Sequence, residues 1–145
     1  MASPEPVILF EDTHLLVLSK PAGLLSQGEK TGDANLVDWL RDYLGRPYVG
    51  LVHRLDRNTS GAMVVAKRTK SANRLSEALK AGQLEREYLA WVEGYVPRLG
   101  EPLRWEHRLE KDERTNRVRV LGSAARAGQA AILTATPLQS GAWNG

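Results

Sequence analysis

At 145 residues, with 42% hydrophobic and 26% charged side chains, the chain suits one domain with a modest core and falls outside disordered, collagen-like and coiled-coil compositions. It contains no cysteine, which removes disulfide frameworks, thiolate metal sites and cysteine nucleophiles. The net charge of +3 is unevenly spread: residues 1–50 hold four Lys/Arg against seven Asp/Glu, and residues 51–145 hold sixteen against ten, so the second part is the one suited to a polyanion.

No apolar run approaches the length of a membrane span, and Met1–Pro6 lacks the basic and apolar regions of a secretory leader, so a cytoplasmic location is expected. Val7–Phe10 and His14–Leu18 are β-prone runs separated by Glu11-Asp12-Thr13, which predicts a hairpin. Residues 20–32 carry four Gly or Pro and read as loop. Leu36, Leu40, Tyr43 and Leu44 stand at helical spacing within Asn35–Leu44, and Gly45 is the expected stop. Two apolar runs, residues 49–52 and 62–66, then flank a polar stretch. A second helix is expected with Thr69 as its cap, Ala72, Leu75 and Leu79 on its apolar face and Gly82 at its end. Strands are expected over residues 84–92 (carrying Tyr88), 103–109, 117–121 and 130–135. Strands interleaved with two helices predict an α+β domain with a mixed, largely antiparallel sheet flanked by helices. No repeat or linker divides the chain, so residues 1–145 are expected as a single domain.

The polar stretch His53-Arg54-Leu55-Asp56-Arg57-Asn58-Thr59-Ser60-Gly61 puts one carboxylate among two arginines, a histidine and two hydroxyls. Asp, Asn, Thr, Ser and Gly are also ordinary turn residues, so composition alone leaves a plain hairpin turn and an active-site turn both open. The string itself resembles the signature of the RluA-type pseudouridine synthases. Lys20-Pro21-Ala22-Gly23-Leu24 resembles that family's KPxG element, and Arg86-Glu87-Tyr88-Leu89-Ala90 its basic-x-Tyr strand. The three elements occur in the family's order.

The resemblance implies a pseudouridine synthase-like catalytic fold with its cleft across the sheet, acting on structured RNA (rRNA or tRNA). The implied reaction breaks the bond from ribose C1′ to uracil N1, turns the base and rejoins it through C5. The electron-poor sugar calls for one ionised carboxylate beside C1′, the role implied for Asp56. Adduct formation at C1′ and glycal formation at C2′ both remain open. Arg54 is implied as the planar wedge that fills the space of the extruded base, and Tyr88 as the aromatic that stacks on it. His53, Thr59, Ser60 and Gly61 are expected to support the turn. Lys20 is left between an RNA contact and a support of the cleft floor. Lys67, Arg68, Lys70, Arg74 and Lys80 read equally as a phosphate-binding face and as a solvated helix face. No cofactor and no metal is implied, since His14, His53 and His107 are scattered. A monomer is expected, with no membrane partner.

The family continues into a GRTHQIR-like motif whose basic residue pairs with the catalytic aspartate, and nothing here matches it. The expectation is therefore an incomplete catalytic domain, its C-terminal part missing and no S4-type domain ahead of it. A partly buried Asp56 without a cationic partner would have a raised pKa. The alternative reading is a catalytically inactive relative that only binds RNA. A carboxylate glycoside hydrolase, with Glu85 or Glu87 as second acid, is a more distant one.

Overall fold

The computed structural model describes residues 4–29, 32–95, 98–115, 117–122 and 125–141. Met1–Ser3, Asn116 and Ala142–Gly145, which entered the sequence reading, lie outside the described residues. The chain divides into two compact units, Met1–Tyr88 and Leu89–Gly145.

In the first unit, strands β1 (Val7–Glu11) and β2 (Leu15–Lys20) form the expected hairpin. Asp12 closes it by accepting the backbone N–H groups of His14 and Leu15. Strands β3 (Gly50–Leu51) and β4 (Gly61–Ala66) complete an antiparallel sheet in the order β1-β2-β4-β3. The register sets Lys20 opposite Gly61, so the chain leaves β2 and enters β4 at the same end of the sheet. Both loops that resemble family motifs are thereby brought side by side.

Helix α1 (Leu36–Leu44) has the predicted limits because both signals are local. Asn35 accepts the Asp38 N–H at 3.1 Å and donates to the Asp38 carboxylate at 2.7 Å, while Gly45 turns left-handed at φ 62° and returns its N–H to the last carbonyls. Leu36 and Leu40 are buried, and Tyr43 stacks on Trp39 at 5.3 Å between ring centres. Helix α2 (Thr69–Lys80) differs in its start: Arg68, extended at φ −144° and without a side-chain bond, is the N-cap. Helical dihedrals begin one residue earlier than expected, so Thr69 sits inside the first turn. Ala72, Leu75 and Leu79 are half-buried, consistent with packing on β3 and β4.

The core joins Leu16 and Leu18 of β2, Met63 and Val65 of β4, and Leu36 and Leu40 of α1 to Leu24 and Leu55 from the two loops. Each such leucine contributes roughly 1.5–3 kcal/mol by leaving water. Leu24 and Leu55 therefore tack both loops onto the sheet.

The second unit is an antiparallel sheet in the order β6-β5-β7, built from β5 (Leu103–Asp112), β6 (Arg117–Leu121) and β7 (Gln129–Ala135). Period-2 alternation separates Leu103, Trp105 and Leu109 from Arg104, Glu106, Arg108 and Glu110. Glu110 lies opposite Arg119 and pairs with it. The strand expected over residues 84–92 is absent among the described residues: the segment makes no ladder. β-prone side chains make a strand only where backbone groups meet a neighbour, and Leu89, Trp91 and Val92 instead remain 69–89% exposed. With antiparallel sheets and two helices, the chain is an α+β protein.

Candidate active site

Residues 52–60 link β3 to β4 without regular secondary structure, with a bend at His53 and a tight turn over Arg57 and Asn58. Leu55 is buried, 7% exposed, while Arg54 and Asp56 on either side are exposed. That alternation is the period of extended backbone, and it turns Arg54 and Asp56 outward together. The turn is closed by its backbone, Thr59 N–H to the Asp56 carbonyl at 3.1 Å, so the Asp56 carboxylate is not consumed in closing it. Gly61, where β4 begins, has φ +143°, a region that side-chain-bearing residues resist.

Asp56 lines a cleft of about 120 Å³ with Arg54, Leu55 and Arg57 of its own loop and Leu25, Ser26, Gln27 and Glu29 of the loop that follows β2. Gln27 and Glu29 were not singled out in the sequence, because a lone polar residue in a Gly/Pro-rich loop carries no local signal of what it faces. The two loops are stitched together. Gly23 N–H donates to the Arg57 carbonyl at 2.8 Å, Arg57 Nε donates to the Gly23 carbonyl at 3.2 Å, and Arg57 Nη1 reaches Asp33 at 2.9 Å. The Ser26 hydroxyl meets the Leu55 backbone.

Lys20 is buried at the end of β2 and is not among the residues that line the cleft. It follows Leu16 and Leu18 on the inward face of β2 and has no exposed surface. Its ammonium donates to the carbonyls of Pro21 at 3.0 Å, Leu24 at 2.8 Å and Arg57 at 3.3 Å. Burial pulls it below the ordinary lysine range, and attraction to Asp56 works in the opposite direction. The expectation that Asp56 is partly buried is corrected: Asp56 is exposed.

His53 is half-buried, and its Nε2 accepts the Val64 N–H at 3.1 Å just past the end of β3. The imidazole thus holds a β4 donor where the backbone of β3 has departed. Burial first, and the charge of Arg86 second, lower its pKa below the ordinary histidine value. Thr59 is half-buried and Ser60 exposed, both within the turn region. Tyr88 is the last residue of the first unit, 59% exposed, and is not among the side chains that line the cleft. Of the basic cluster, Lys67 is taken up by Glu11 and the Asp12 carbonyl, while Arg68, Lys70, Arg74 and Lys80 are exposed. Among the described residues no cluster of His, Asp and Glu could hold a metal ion, and no helix is long and apolar enough to cross a membrane.

A family model described as RNA pseudouridylate synthase matches residues 14–142. The chain is 38% identical over 125 residues to the ribosomal large subunit pseudouridine synthase C of Escherichia coli O6:H1, covering 81% of this chain and 38% of that protein. It is 44% identical over 101 residues to the ribosomal large subunit pseudouridine synthase D of Xanthomonas campestris pv. campestris, covering 64% and 30%. It thus spans about a third of the length of these curated relatives. Among solved structures it is similar in fold to human RNA pseudouridylate synthase domain containing 1, with a TM-score of 0.71 at 20% identity, covering 92% of this chain and 54% of that one.

Proposed function

This chain belongs to the RNA pseudouridylate synthase family, and we propose that it isomerises uridine to pseudouridine in structured RNA, with Asp56 as the reacting carboxylate. The observation that carries this reading is the placement of Asp56: it is exposed and lines a cleft beside Arg54, on a loop hydrogen-bonded to the loop that follows β2. In the reaction, the C1′–N1 bond breaks and the carboxylate stabilises the electron-poor sugar. The base turns, a C1′–C5 bond forms, C5 loses its proton and N1 gains one, so no external oxidant, reductant or second substrate enters the balance. Arg54 is the planar group that takes the space of the extruded base, and Tyr88 is the aromatic that stacks on it. His53, Thr59, Ser60 and Gly61 keep the turn in shape.

The relatives' names refer to the large ribosomal subunit, which supports ribosomal RNA over transfer RNA as substrate. We propose further that the protein acts in the cytoplasm, as a monomer, and without a metal or organic cofactor. The test is incubation with a ribosomal transcript labelled at uridine, followed by nucleoside analysis. Pseudouridine is expected from the unaltered chain and none from Asp56→Asn. Equal product from both would remove Asp56 from its role.

A further inference from the structure

We infer that Ser26 is a positioning residue for Asp56, acting through the peptide group between Leu55 and Asp56; the inference rests on the isomerase reading above. Ser26 is 5% exposed, and its single hydroxyl makes two bonds to one residue. Oγ donates to the Leu55 carbonyl and accepts the Leu55 N–H at 3.3 Å, across 29 positions of sequence. The Leu55 carbonyl shares a rigid plane with the Asp56 N–H, so fixing one fixes the other. On the far side of Asp56, the Arg57 carbonyl accepts from Gly23 N–H and from the Lys20 ammonium.

Asp56 thus sits between two backbone groups, each pinned to the same loop, residues 20–26. The Leu55 side chain is itself buried in the core, which blocks rotation about that residue. What remains for Asp56 is its own rotamer. The hydroxyl also satisfies a buried donor and a buried acceptor that would otherwise cost stability, so the role in aiming has to be separated from that in folding.

Four chains separate them: unaltered, Ser26→Ala, Ser26→Cys and Ser26→Thr. The cysteine fills the serine volume with a weak hydrogen-bonding group, and threonine restores the hydroxyl. Single-turnover pseudouridine formation on the ribosomal transcript is measured beside RNA affinity, at a temperature where circular dichroism shows each chain folded. A misplacement of about 1 Å can cost about a hundredfold in rate. We expect Ser26→Ala and Ser26→Cys to lose between about tenfold and a hundredfold in rate, with RNA affinity within about twofold. Protection of the Leu55 amide from hydrogen exchange falls in both, and Ser26→Thr recovers most of the rate and the protection. If Ser26→Ala does not fold, the cysteine chain carries the comparison. A cysteine rate within about threefold of the unaltered chain overturns the assignment, as does a loss carried wholly by RNA affinity. Absence of product from the unaltered chain overturns the isomerase reading instead, and this assignment with it.

Discussion

The Lys20 ammonium donates to the Arg57 carbonyl at 3.3 Å, joining the end of β2 to the residue after Asp56 across 37 positions of sequence. A lysine without exposed surface is tolerable there because three carbonyls receive its protons, at Pro21, Leu24 and Arg57. Lys20→Met keeps most of the volume but removes the donors. The Arg57 carbonyl retains its bond from Gly23, whereas the Leu24 and Pro21 carbonyls lose the ammonium. A destabilisation of about 2–3 kcal/mol is expected in urea unfolding, the cost of one or two buried polar groups left unpaired. Unchanged stability would mean that water replaces the ammonium.

Arg54 and Asp56 share the exposed side of their loop because Leu55, between them, is buried. If Arg54 serves as the wedge, its value depends on whether the base must first leave a stack. Arg54→Ala is expected to slow isomerisation of a helix-embedded uridine by about tenfold or more, equivalent to about 1.4 kcal/mol, and to affect a uridine in an unstructured oligonucleotide far less. Arg54→Lys keeps the charge but not the plane and should fall with the alanine variant. Equal losses on both RNAs would assign Arg54 to phosphate contact.

Legibility in the sequence followed distance along the chain. Asn35 and Gly45 act within one turn of α1, and both ends of that helix are where their residue types imply. The outward pair Arg54 and Asp56 follows from period-2 alternation around one leucine. Lys20 carried a readable hint, since Leu16, Leu18 and Lys20 share one face of β2, but its three carbonyl partners are set by the tertiary fold. Ser26 carried none: a serine in a loop does not announce a bond to residue 55. At Arg68 and Thr69, one-residue differences in where helical dihedrals begin outweighed cap preference. For residues 84–92, β propensity was present without a neighbouring strand among the described residues to pair with.

Gly50 marks a place where three elements meet. A Cβ there would lie 2.9 Å from the Ala66 Cβ, 3.0 Å from the Ala66 carbonyl oxygen and 3.0 Å from the Ala72 Cβ. None of these is the end of a flexible side chain, so β3 would have to move away from β4 and α2. Gly50→Ala is expected to destabilise the first unit by about 1–3 kcal/mol, the usual range for overpacking. A double variant with Ala72→Gly should recover part of that loss, because one of the three contacts disappears. Thermal unfolding of the two variants beside the unaltered chain measures both effects, and a neutral Gly50→Ala would show that β3 shifts freely.

His53 gives the chain a defined acid sensitivity. Its Nε2 accepts the Val64 N–H, so the proton of the neutral ring sits on Nδ1, which is buried without a partner among the described residues. Burial and then the Arg86 charge disfavour the imidazolium in the folded chain, while the unfolded chain protonates near the ordinary value of 6.5. Above that value both states hold a neutral ring and stability is fully kept. As the pH falls below it, the unfolded state binds a proton that the folded state refuses, so stability declines until the lowered folded pKa is reached. Protonation of Nε2 also ends its bond to the Val64 N–H. Denaturation at pH 7.5, 6.5 and 5.5 should show a decline in the unaltered chain that is smaller in His53→Gln, whose amide oxygen accepts the same N–H without titrating. Identical slopes in the two chains would place the acid sensitivity elsewhere.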